Sequence, residues 1–141
     1  VAPLIIAAKL ESLRSSLARI EARVPANAEE LAANEDVQES VILNLARAIQ
    51  NCIDVGSHLL SRTDHPVPGT ARDIFTALAE LSVIEDETSS RLANATAFRN
   101  LAIHRYDSID WAVVHRVCTE STADLHRFAA EIEQWLDHNP G

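Results

Sequence analysis

Between Asp36 and Arg62 apolar side chains recur at steps of three and four: Val41, Leu45, Ala48, Cys52, Val55 and Leu59. Such steps return a side chain to the same face of an α-helix, so the run reads as one long amphipathic helix. Ile42, Ile49, Ile53 and Leu60 widen the stripe to an arc of roughly 140°, at about 100° per residue. A helix apolar over so wide an arc needs at least two neighbours to cover it, and a second copy of the chain is one candidate. Asp36 is the expected N-cap.

The remaining sequence repeats this pattern. A first helix is expected from about Leu4 to Val24, with Leu13, Leu17, Ile20 and Val24 facing inward and Pro25-Ala26-Asn27 ending it. Thr63 to Gly69 contains two prolines and a glycine and reads as a loop. Thr70 then caps a short helix carrying Ile74, Phe75, Leu78 and Leu81. A fourth helix begins near Asp86 and includes Leu92 and Phe98. After a turn at Asp107 to Asp110, with Ser108 or Asp110 as N-cap, a last helix runs from Trp111 to about Asp137. Its stripe is Val114, Cys118, Leu125, Phe128, Ile132 and Trp135. Strong helix formers dominate, and no strand signal, repeat or linker interrupts them. The expectation is a single all-α domain over residues 1–141, a bundle of about five helices.

Charge narrows the function. Acidic residues outnumber Lys and Arg by 21 to 12, a net charge of -9. That argues against a protein that coats nucleic acid non-specifically, which needs many cations to neutralise phosphates. A small basic cleft gripping one or two phosphates remains compatible. Lys9 is the only lysine, and the other cations are arginines, whose planar fork suits phosphate. Cys52 and Cys118 are too far apart in sequence for a zinc or redox spacing and lie on apolar stripes. They read as buried thiols of a reducing compartment, hence a cytoplasmic protein. No signal peptide is visible, no apolar run approaches the roughly 20 residues that span a membrane, and the missing initial methionine suggests a trimmed start. His115 and His126 would share a helix face about 16 Å apart, too far for one metal, and read as surface residues. Neither a metal nor a cofactor is expected.

The chemistry concentrates in Arg99-Asn100-Leu101-Ala102-Ile103-His104-Arg105-Tyr106. Arginine presents a permanent forked cation to a phosphate, and histidine serves as acid or base near neutral pH. RNA cleavage without a metal needs those services: a base for the ribose 2′-hydroxyl, a cation for the five-coordinate phosphate, and a proton for the leaving 5′-oxygen. A step of five turns a regular helix by roughly 140°, so Arg99 and His104 would not share a face. Either the helix is irregular there, or a cleft receives the two groups from two directions, as between two copies of the chain. The plain alternative is that both simply favour the C-terminal end of a helix dipole.

A second polar constellation lies on the long helix. Asn44, Arg47, Asn51, Asp54 and His58 follow steps of three and four and form one stripe. Asparagines with a histidine and one acid suggest a hydrogen-bonding wall facing the Arg99/His104 cleft, with Asp54 or His58 orienting a catalytic group. An exposed face with an Asp54–His58 pair is the alternative.

The run from Phe98 through Tyr106 to Ile109-Asp110-Trp111 resembles the signature of the HEPN superfamily in its HepT toxin branch: Arg, four residues, His, one residue, Tyr, then an Ile-Asp pair. The segment Val67 to Leu78, opening a helix after a proline-containing turn, and Asp54 to Leu60 also resemble that branch, so the likeness spans about Val37 to Trp135. It implies a HEPN-like helical homodimer with its cleft at the interface, and an endoribonuclease with Arg99 and His104 catalytic. From the residues themselves, Asn100 and Arg105 are candidates to hold RNA, and Asn51, Asp54 and His58 to line the cleft. Arg105 would serve equally as a solvated cation. The resemblance further implies an MntA-like nucleotidyltransferase antitoxin that moves AMP from ATP onto Tyr106, placing bulk and negative charge where substrate phosphate would sit. Packing or capping is the plainer role for Tyr106. The alternative function is a non-catalytic nucleotide-binding or helper subunit of a nucleotidyltransferase, which the acidic charge favours.

Overall fold

The computed structural model describes residues 2–104 and 106–139, with the backbone alone for residues 2, 3, 103, 104 and 106. Among the described residues seven α-helices follow in order: α1 (Ala2–Arg23), α2 (Ala28–Ala32), α3 (Glu35–Ser61), α4 (Ala71–Glu80), α5 (Asp86–His104), α6 (Trp111–Arg116) and α7 (Thr122–His138). A 3₁₀ turn, Tyr106–Ser108, follows α5, and a π-helical segment, Val117–Ser121, joins α6 to α7. No strand occurs among the described residues.

The stripe of α3 forms the centre. Val41, Leu45, Ala48, Ile49, Cys52, Val55, Leu59 and Leu60 are buried, and Ile42 and Ile53 are partly so. Helix α1 lies along α3 and supplies Ile6, Leu10, Leu13, Leu17 and Ile20. Across the centre, Phe75 of α4 meets Phe128 of α7 edge-to-face, with centroids 5.9 Å apart at 84°. That geometry suits aromatic quadrupoles. Arg14 and Glu133 clamp α1 to α7 by two hydrogen bonds of 2.9 and 2.6 Å, and the arginine holds the Glu133 carboxyl below its ordinary range.

Caps set the boundaries. Thr70 accepts from the Asp73 amide and Asp110 from the Ala112 amide, as their positions suggest. The cap of α3 is Asn34, not Asp36; Asn34 accepts from the Val37 amide and leaves Asp36 in the first turn, where its charge favours the dipole. Pro25-Ala26-Asn27 ends α1 but also starts α2, because Asn27 accepts from the Glu30 amide and Leu31 is buried. The last helix runs unbroken from Trp111 to His138, and a π segment at Val117–Ser121 adds a residue to one of its turns. Leu81 is 39% exposed rather than inward, because α4 stops at Glu80 and Ser82 turns left-handed at φ 60°.

Both cysteines are free and buried. Burial pushes both thiols up, Cys118 to about 12, so neither is a thiolate at neutral pH. His115 is half-buried and bonds the Pro25 carbonyl at 2.8 Å; His126 pairs with Glu21 at 2.7 Å. No helix among the described residues is long and apolar enough to cross a membrane.

Candidate active site

Arg99 sits in the last two turns of α5, half-buried against α3. Its Nη1 donates to Gln50 Oε1, and its Nη2 donates to Asn100 Oδ1 at 2.9 Å. Its Nε is buried with no partner among the described residues. Both partners are neutral amides, whereas Arg14, Arg91 and Arg127 each reach a carboxylate. The positive charge of Arg99 is therefore not cancelled by a paired anion.

Gln50 is not singled out by the sequence pattern. It is an exposed polar residue, and its only local signal is its position four residues before Asp54. Its Nε2 donates to Asp54 Oδ1 at 2.9 Å, and Lys9 of α1 meets Asp54 Oδ2 at 3.2 Å. Asp54 is thus linked to Arg99 through one amide. The rest of the polar stripe turns elsewhere. Asn51 is buried and donates to Ser12 of α1 at 3.2 Å. Asn44 is buried and donates to the Ser40 carbonyl of its own helix. His58 is half-buried, one turn beyond Asp54, and its Nε2 has no partner among the described residues. At Asn51 and Asp54 the stripe meets α1, which packs along α3 more extensively than α5 does.

On its other side Arg99 borders a cleft of about 350 Å³ between the start of α4 and the end of α5. Thr70, Arg72, Thr96 and Asn100 line it with Arg99, and no carboxylate among the described residues does. Larger clefts elsewhere carry acids, among them Glu85, Asp86 and Glu131 in one and Glu11, Glu133 and Asp137 in another. In a chain of net charge -9, an acid-free cleft with two arginines repels an anion less than these acid-lined clefts do.

Helix α5 stays α-helical to His104, so the positions of Arg99 and His104 remain about 140° apart around its axis. Position 104 falls in line with Ser90, Asn94, Ala97 and Leu101, which form an exposed face. The side chains of His104 and Tyr106, and Arg105 entirely, lie outside the described residues. Among the described residues no three His, Cys, Asp or Glu side chains cluster as metal ligands.

In this all-α helix order the chain matches a solved HEPN toxin, which gives its class. The model of the ribonuclease HepT-like family matches residues 13–132, and the chain belongs to that family. It is 30% identical over 124 residues to the mRNA nuclease HepT of Shewanella oneidensis, covering 88% of this chain and 92% of that protein. The solved structure of the tri-AMPylated HEPN toxin of Shewanella oneidensis in complex with MNT antitoxin matches with a TM-score of 0.85 at 29% identity, over 92% of this chain and 97% of that one. A toxin–antitoxin solved with AMP-PNP gives a TM-score of 0.86 at 28% identity, over 92% and 98% of the two chains.

Proposed function

We propose that this chain is the toxin of a toxin–antitoxin pair and cleaves RNA without a metal. The observation that carries this reading is Arg99, held by two neutral amides at the rim of an acid-free cleft. An arginine left in that state attracts a phosphodiester, and its fork can follow the charge that grows on phosphorus-bound oxygen in the transition state. Arg72 gives the same strand a second cation, with Asn100 beside it and Arg105 as a further contact.

His104 supplies the proton transfers. The 2′-hydroxyl loses its proton to imidazole, its oxygen bonds to phosphorus, and the bond from phosphorus to the 5′-oxygen breaks. Protonated imidazole gives the leaving oxygen its proton. The products are a 2′,3′-cyclic phosphate and a 5′-hydroxyl, with no oxidant or metal in the balance.

We infer a homodimer with the cleft at its interface. Two observations support it: positions 99 and 104 do not share a face in one copy, and the face that carries position 104 is exposed, with Leu101 at 53%. Two copies of His104 would then supply base and acid to one strand.

Neutralisation fits an MntA-like nucleotidyltransferase partner. The relatives solved as toxin–antitoxin complexes, one tri-AMPylated, support AMP transfer to Tyr106 as the off switch. The phenol gives its proton to solvent, its oxygen bonds to the α-phosphorus of ATP, the bond from that phosphorus to the bridging oxygen breaks and pyrophosphate leaves, and the added phosphate occupies the ground of the substrate. The acidic balance of the chain favours one other reading, a helper or nucleotide-binding subunit that does not cut RNA.

Expression without a partner separates the two. Wild type is expected to arrest growth and degrade RNA, and His104→Ala to do neither. Normal growth and intact RNA with well-expressed wild type would sink the toxin reading. With partner and ATP, wild type is expected to gain mass in AMP steps; a gain that persists in Tyr106→Phe would reject that acceptor.

A further inference from the structure

We infer that Gln50, oriented by Asp54 and Lys9, is a positioning residue that holds the Arg99 guanidinium in register and free of a carboxylate. This rests on the reading of Arg99 as the cation that meets the reacting phosphate.

The warrant is a chain of contacts across three helices. Lys9 on α1 meets Asp54 Oδ2 at 3.2 Å, Asp54 Oδ1 accepts from Gln50 Nε2 at 2.9 Å, and Gln50 Oε1 accepts from Arg99. Direction matters here. An ionised carboxylate only accepts, so Gln50 must turn its NH₂ to Asp54 and its carbonyl to Arg99. Without Asp54 the amide is free to flip and present donors to a group that has only donors. Asp54 in turn is the nearest acid in the chain of contacts from Arg99, and it is occupied on both oxygens. The only lysine in the sequence balances its charge. The relay thus keeps a catalytic cation close to an acid without letting the two pair.

An acid in place of Gln50 would undo this. A glutamate side chain cannot donate to Asp54, is repelled by it, and offers Arg99 the carboxylate the native site withholds. Gln50 is exposed, so the substitution leaves the core untouched.

The test is steady-state cleavage of a short fluorescent RNA at fixed salt by wild type, Gln50→Glu, Gln50→Ala, and Lys9→Ala with and without Asp54→Asn. Gln50→Glu is expected to lower kcat about 100-fold with KM within about threefold, since the lost interaction belongs to the transition state. Gln50→Ala is expected to lower kcat about tenfold. Lys9→Ala is expected to lower kcat several-fold alone, by freeing Asp54 to compete for Arg99, and to have no effect on top of Asp54→Asn. A kcat for Gln50→Glu within twofold of wild type overturns the relay, as does an effect of Lys9→Ala that is equal in both backgrounds.

A second readout does not depend on cleavage. Side-chain ¹⁵N NMR should show restricted rotation of the Arg99 Nη groups in wild type and faster rotation of Nη1 in Gln50→Ala, where Asn100 alone still holds the guanidinium. Unchanged Arg99 signals overturn the relay even if the enzyme is active. If wild type does not cut RNA, the functional reading fails, and these signals still decide whether Gln50 holds Arg99.

Discussion

What an arginine holds determines what it can still bind. Arg91 and Arg127 lie in a surface network with Glu85, Glu87, Asp124 and Glu131 and are committed to α5–α7 contacts. Arg99 bonds only amides among the described residues and keeps its charge for a ligand. Replacement by lysine retains a charge but loses the fork that holds Gln50, Asn100 and a phosphate together. Arg99→Lys is expected to lower kcat at least tenfold, and Arg99→Ala about 100-fold or more, in single-turnover cleavage. Arg72 has no side-chain partner among the described residues, and in the proposed function its part is charge alone. Arg72→Ala is expected to raise KM and to reduce the slope of log KM against log salt by about 0.7, the share of one phosphate on a single strand. An unchanged slope would remove Arg72 from the RNA path.

At the scale of elements, two contacts place α4, and with it Arg72, beside α5. The first is the close approach of α4 to Gly56 of α3. A Cβ there would lie 2.7 Å from Ile74 Cγ2 and 3.1 Å from Leu78 Cδ1. Gly56→Ala gains helix propensity but overpacks this contact, and the balance is expected to be a loss of about 1–2 kcal/mol in chemical denaturation. The second is the end of α4, where Ser82 at φ 60° lets the Val83 amide reach back to the Leu78 carbonyl at 2.9 Å. Glycine adopts that backbone without Cβ strain, so Ser82→Gly is expected to stabilise by about 0.5 kcal/mol or more. A lower denaturation midpoint would contradict this.

The same scale explains what could be read in advance. The ends of α1 and α3 and the starts of α4 and α5 follow to within about two residues from periodicity and breakers, and Thr70 and Asp110 cap as their chemistry suggests. Helix α2 escapes because five residues with one buried apolar side chain show no period. The π segment escapes because the stripe of the last helix tolerates one extra residue. For the site, the Arg99 run and the polar stripe stand out in the sequence. Which helix the stripe faces does not, because that depends on α1 packing against α3. Gln50 meets Arg99 across 49 residues, a contact that no local pattern encodes.

The whole molecule joins an acidic surface to a small basic cleft and an exposed face on α5. On the proposed reading, the acidic surface repels bulk nucleic acid and leaves the cleft to select strands that fit it. The exposed face predicts association. Wild type is expected to sediment as a dimer, and Leu101→Glu as a monomer that keeps its helical circular dichroism and loses cleavage. A monomeric wild type that cuts RNA would refute the composite cleft.

Cleavage of RNA by Arg99 and His104 with no metal is tested most directly by incubating purified wild type, Arg99→Ala and His104→Ala with RNA in excess EDTA and identifying the new ends. Wild type should produce 2′,3′-cyclic phosphate and 5′-hydroxyl ends, and both variants should leave the RNA intact. Cleavage that stops in EDTA, or that survives in folded Arg99→Ala and His104→Ala, would contradict the proposed chemistry.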